Sequence, residues 1–150
     1  MPLKQQIDQD LKQALLSGNK NLVTTLRGLK SAILYVEVAQ NKRDVGLSDQ
    51  EIIEVFTKEA KKRQESADLY AQGGNAEKQE AELAEKKVIE EYLPQQMSDD
   101  ELSGIIDEVV ANSGPVTNQT MGKIIGEIKQ KTAGQADGSR IAALVKERVA

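Results

Sequence analysis

The chain has 150 residues, a formal net charge of −4, 39% hydrophobic and 29% charged residues, and only 3% aromatics. These values exclude a disordered chain and describe one folded domain, or one with a small appendage, around an aliphatic core. With no histidine and no cysteine, Ser-His-Asp and Cys-His nucleophiles, imidazole metal sites and disulfides are excluded as well.

The N-terminal stretch "MPLKQQIDQDLKQALL" is polar and periodic. It has neither a signal-peptide core nor the roughly 20 apolar residues of a membrane span. Its spacing predicts a first helix over 2–17, with Leu3, Ile7, Leu11, Ala14 and Leu15 on one stripe and Gly18 as the stop. A second helix is expected over 19–40. Its residues Leu22, Leu26, Leu29, Ile33 and Val36 alternate at four- and three-residue steps, a coiled-coil-like seam. Residues 41–47 read as a loop.

Ser48 and Glu51 form a capping box that opens a third helix, running to about Gln72. Its inner side is Ile52, Val55, Phe56, Glu59 or Ala60, Arg63, Ala67 and Tyr70, and Gly73-Gly74 ends it. A fourth helix spans 76–92, with Ala81, Ala84, Val88, Tyr92 and the flanking Leu83, Ile89 and Leu93 as a patchy apolar face. Pro94 then disfavours helical geometry at Leu93 and makes "YLPQQMSDDEL" a joint.

A second box, Ser98 with Glu101, opens a fifth helix whose inner face is Leu102, Ile105, Ile106, Val109 and Val110. "NSGPV" breaks it. A sixth helix is expected over 118–132, capped by Thr117 and stopped by Gly134. Asp137 caps a seventh, with Ile141, Leu144, Val145 and Val149 inside. No strand signal competes. The expectation is an all-α fold: an N-terminal four-helix body, 1–94, followed by a small three-helix C-terminal tail domain, 95–150.

Charge is uneven along this plan. Residues 95–116 hold Asp99, Asp100, Glu101, Asp107 and Glu108 and no cation, a net −5. Residues 117–150 hold Lys123, Lys129, Lys131, Arg140, Lys146 and Arg148 against Glu127, Asp137 and Glu147, a net +3. The three acids at 99–101 suit a helix N-terminus better than a magnesium site. Asp107 and Glu108 read as a solvated face. "GKIIG" at 122–126 is not a phosphate-binding P-loop, since it lacks the G-x-x-x-x-G-K-[ST] pattern and follows a turn rather than a strand. Ser17, Ser31 and Ser66 have Lys or Arg nearby in sequence, but no glycine-rich oxyanion turn accompanies them. The basic groups Lys58, Lys61, Lys62, Arg63 and Lys20, Arg27, Lys30 read as solvated helix faces. No catalytic residue, metal or cofactor is expected.

Gly122 and Gly126 stand one turn apart in the sixth helix, each costing about 1 kcal/mol against alanine. On a helical projection they lie on the shoulder of the apolar face with Lys129 beside them. They make a notch that either a neighbouring helix or a phosphate could enter. Helix packing is the preferred reading.

Taken together, "LRGLKSAI" at 26–33, "KKRQES" at 61–66 with Tyr70 and Gly73, "YLPQQMSDDEL" at 92–102, "MGKIIG" at 121–126 and "GQADGSRI" at 134–141 resemble the GatB/YqeY family. The resemblance covers nearly the whole chain. It implies a helical domain followed by a small helical tail, similar to the C-terminal part of the GatB component of the glutamine-dependent aminoacyl-tRNA amidotransferase. In that enzyme this part recognises tRNA, while phosphorylation and ammonia supply occur elsewhere. A carbon–nitrogen ligase label, with glutamine as amide donor, would therefore be inherited from the full enzyme. The implied function is tRNA binding or service to a tRNA-modifying or aminoacylation enzyme in the cytoplasm. The alternative is a helical protein–protein interaction module.

RNA binding by a chain of net charge −4 requires a local basic face. The expected face is Lys123, Lys129, Lys131 and Arg140, with Gly122, Gly126, Gly134 and Gly138 as notch and turn. The turn 134–139 offers amides for a phosphate, although Asp137 would compete for them.

Overall fold

A computed structural model describes residues 1–149. Among them are seven α-helices and no strand beyond one isolated parallel bridge between Val116 and Val149. The chain divides into two compact units, Met1–Leu93 and Pro94–Ala150.

The first unit contains α1 (Leu3–Ser17), α2 (Lys20–Ala39), α3 (Asp49–Gln72) and α4 (Ala76–Glu90). Each boundary has a local cause. Gly18, at φ 72°, ends α1 in the left-handed conformation that glycine adopts without Cβ strain. The Asn19 and Asn75 side chains accept from the Leu22 and Lys78 amides, capping α2 and α4. At α3 both halves of the capping box form. The Glu51 amide donates to the Ser48 hydroxyl, and the Ser48 amide donates to the Glu51 carboxylate.

The core gathers Ile7 of α1, Leu26, Leu29 and Ile33 of α2, Ile52, Phe56 and Ala60 of α3, and Ile89 of α4. Fully burying each large aliphatic side chain contributes roughly 1.5–3 kcal/mol. Tyr92 meets Phe56 edge-on at 5.9 Å between ring centroids. Its hydroxyl donates to Asp10.

One α2 residue breaks the apolar pattern. Glu37 is 2% exposed. Its carboxylate accepts from Lys4 Nζ at 2.9 Å and from the Leu47 amide at 3.2 Å, tying α1 and the α2–α3 loop together.

The expected face of α4 forms in part: Ile89 is buried and Val88, Tyr92 and Leu93 pack against the core. Ala81 and Ala84 are exposed. Charges occupy the α3–α4 seam instead. The Arg63 guanidinium lies 3.2 Å from Glu85, 3.7 Å from Glu82 and 3.9 Å from Glu59. Lys86 donates to Gln64 at 2.8 Å. The alanines are a poor guide because their small side chains gain little by burial, whereas the arginine must meet its carboxylates.

The second unit contains α5 (Asp99–Ser113), α6 (Met121–Thr132) and α7 (Gly138–Lys146). Leu102, Ile106 and Val109 of α5 close with Ile124 and Ile128 of α6, Ile141 and Val145 of α7, and Val116 and Ala136 between them. α6 starts three residues later than expected. Thr117 and Thr120 bind each other: the Thr117 amide donates to the Thr120 hydroxyl at 2.9 Å, and the Thr120 amide to the Thr117 hydroxyl at 3.2 Å. The Thr117 hydroxyl thus accepts from the amide three residues on, as the expected cap would, and the Thr117 carbonyl accepts from the Met121 amide at 2.9 Å, although regular helix begins only at Met121. At the other end Ala133 and Gly134 take positive φ, 46° and 85°, and turn the chain toward α7.

Candidate functional site

The expected basic face lies wholly in the second unit, and the structure sorts its members by what each touches. α6 presents its buried stripe, Ile124, Ile128 and Thr132, to the core. At about 100° per residue, Gly122, Lys123, Gly126, Lys129 and Gln130 share an arc on the other side. All five are exposed. The arc carries no acid, since Glu127 lies beyond its edge on the same projection.

Within the second unit the two glycines are not packed against α5 or α7, the helix neighbours the preferred reading offered there. Both are exposed, and a Cβ added to either would find no atom within 4 Å. The two glycines, one turn apart, leave backbone facing outward, and among the described residues of this unit no side chain fills the notch.

Gly138 lies close to the end of the Lys129 side chain, which is flexible enough to move aside. A Cβ on it would lie 3.0 Å from Lys129 Cε and 3.2 Å from Lys129 Nζ. The end of that lysine therefore rests against the first residue of α7, which draws the ammonium to the junction of α6 and α7.

Lys131 and Arg140 stand apart from this pair. Lys131 points to the opposite flank of α6, with its Nζ 4.0 Å from Glu108. Arg140 donates through one guanidinium nitrogen to the Met97 carbonyl and to Asp99, both at 2.8 Å. It bridges α7 to the start of α5 and has a structural assignment inside the unit. Arg148, which also belongs to the basic surplus, donates to Asp107 at 2.8 Å and to the Leu144 carbonyl. The acids read as a solvated face are thus the counter-charges of the C-terminal cations. The signal is present in the sequence as a −5 segment followed by a +3 segment. These pairs are largely exposed, so each contributes little to stability.

The turn at 134–139 is closed to a phosphate in this conformation. Asp137 accepts from the Ser139 amide at 3.2 Å and from the Ser139 hydroxyl at 2.8 Å. Gly134 and Gln135 direct their carbonyls to the Gln96 side chain and the Met97 amide. Gly134 is a turn residue at positive φ, as its type suggests.

In the first unit the candidate basic groups are also partly committed. Arg63 faces the carboxylates of α3 and α4, Lys62 lies 3.3 Å from Glu59, and Lys30 lies 2.7 Å from Asp8. Among the described residues no three carboxylates converge as a metal site would need, and no helix is long and apolar enough to cross a membrane.

What remains as a candidate contact is narrow: Lys123 and Lys129 on the glycine-bearing arc of α6, with Lys131 on its flank. A family model described as Yqey-like protein matches residues 4–149. No curated protein matches the chain.

Proposed function

We propose, from the premise that the chain belongs to the YqeY-like family, that it is a non-catalytic helical protein that holds structured RNA, tRNA in particular. Bond-making in this reading belongs to a tRNA-modifying or aminoacylation enzyme that it serves in the cytoplasm. The two compact units act as two domains, the second carrying the RNA contact. Support comes from the resemblance to the tRNA-recognising part of the amidotransferase and from the chemistry of the chain. It has neither histidine nor cysteine, and many of its polar groups serve in caps and ion pairs.

One observation carries the reading: the acid-free arc of α6, where Lys123 and Lys129 flank two exposed glycines. A phosphodiester needs cations it can approach closely, and missing Cβ atoms permit that approach. Arg140 supports the site by bracing α7, against which Lys129 rests. Two or three phosphate contacts make a weak, salt-sensitive complex, with a log–log slope of about −0.7 to −0.9 per contact.

Titration of fluorescent tRNA with the full chain at about 50 and about 200 mM salt tests this. Two contacts predict roughly a tenfold loss of affinity across that range. Absence of binding at the lower salt removes the reading. Affinity that does not change with salt favours an apolar, protein-directed surface instead.

A further inference from the structure

Within the first unit, the outer face of α2 is a second seam left exposed among the described residues. Thr24, Gly28, Ser31, Tyr35 and Val38 repeat at four- and three-residue steps, two positions on from the buried seam and so about 200° around the helix. All five are exposed. Tyr35 is 78% exposed, Val38 54% and the neighbouring Leu34 44%. None of the five is charged. Gly28 sits mid-helix, and a Cβ there would meet nothing within 4 Å, so the fold does not require this glycine.

We propose that this seam is the contact surface for a second copy of the same chain, with the two α2 helices antiparallel across a two-fold axis near Ser31. The side chains are small in the N-terminal half, Thr24, Gly28 and Ser31, and large in the C-terminal half, Tyr35 and Val38. Antiparallel pairing about Ser31 places each Tyr35 ring over the other copy's Gly28 and each Val38 beside the other copy's Thr24. The hydroxymethyl groups of Ser31 meet at the axis, where the backbones approach most closely. An interface of this kind is self-complementary, as two-fold symmetry demands.

Charge agrees with the same arrangement. Lys20 and Arg27, the cations on the shoulder of the seam, both lie in the N-terminal half. The last turn of α2 carries no basic side chain to offset its carbonyl end. The antiparallel register sets Arg27 of one copy level with Tyr35 of the other, one residue short of that last turn, and its long side chain, leaning toward its own N-terminus, extends beside the carbonyl end, where a cation is stabilising. A parallel register would set Arg27 beside Arg27 and Tyr35 beside Tyr35, leaving both glycines unfilled. One helix pair buries less than the roughly 1,200 Å² of a standard interface, so the dimer is weak and concentration-dependent.

Because the chain has no cysteine, single cysteines report proximity cleanly. Ser31→Cys, at the axis, is expected to form a disulfide-linked dimer at least about tenfold faster than Val45→Cys, which lies on the exposed α2–α3 loop, because pairing raises the local thiol concentration. In parallel, sedimentation of the full chain from about 1 to about 200 μM should show a monomer–dimer equilibrium. Gly28→Leu should abolish it while leaving the melting temperature unchanged or raised, since leucine favours an exposed helix over glycine. That last result separates a lost interface from a damaged fold. A chain that stays monomeric throughout overturns the proposal and leaves the seam to a foreign helix. Equal cross-linking at both positions, or a dimer indifferent to Gly28→Leu, overturns it equally.

Discussion

Glu37 shows what a single residue can hide. Its position follows the inner seam of α2 by one step, and its partners, Lys4 and the Leu47 amide, come from other elements. Nothing local marks it as buried. Removing the carboxylate leaves a buried amide without an acceptor and a lysine without its counter-charge. Glu37→Ala is therefore expected to cost roughly 1–3 kcal/mol in urea unfolding, and Glu37→Gln less, since an amide oxygen can still accept. Equal stability of wild type and Glu37→Ala would contradict the placement.

Tyr92 supplies a second residue-scale test. Burial, and then its hydrogen bond to Asp10, push the phenol well above its ordinary value of 10.0. A raised acid pKa means that the unfolded chain ionises first. Stability is then full below about pH 10 and is lost as pH rises past the unfolded value. Tyr92→Phe keeps the ring on Phe56 and removes the ionisation, so its stability should fall less steeply above about pH 10. Glu51 acts at the other end of the scale. The hydrogen bond from Lys42, followed by that from the Ser48 amide, lowers its pKa. Its contribution is present above the ordinary carboxylate range and fades as pH falls through the folded value.

At the scale of elements, caps are legible and faces less so. Gly18, Asn19, Ser48, Ser98 and Asp137 each act at the helix end where residue type places them. These signals are local, needing only a side chain and an amide two or three residues on. The start of α6 departs from expectation because Thr117 and Thr120 satisfy each other before the helix begins. The face of α4 is hard to read because its partners on α3 are charged. That seam predicts its own behaviour. Beyond Ala67 the α3–α4 hairpin has few buried apolar side chains, so its tip should open locally more readily than the core around Phe56. Amide exchange should be faster in 68–83 than in 23–33. Arg63→Ala should increase exchange in α4 by removing the cation between Glu59, Glu82 and Glu85. Uniform protection across α3 and α4 would contradict a charge-held hairpin.

For the whole molecule, charge asymmetry is the most informative sequence feature and also the most easily misread. The C-terminal surplus of cations does not form one broad positive face. Arg140 and Arg148 spend themselves on Asp99 and Asp107, holding α7 to α5. Such pairing depends on which helices become neighbours, which composition along the chain does not state. The glycines of α6 are legible as a notch, and their outward direction requires the three-dimensional arrangement. In that arrangement α5 and α7 build and brace a small helical unit, and α6 keeps one arc without acids, which is the surface proposed to meet a polyanion.

The most direct measurement is the salt slope of tRNA binding for wild type beside the Lys123→Ala/Lys129→Ala double variant. Each lost phosphate contact should reduce the log–log slope by about 0.7 to 0.9, so the double variant should lose about 1.4 to 1.8. An unchanged slope with intact binding, or no binding by the wild type at low salt, would contradict the assignment of α6 as the RNA-facing helix.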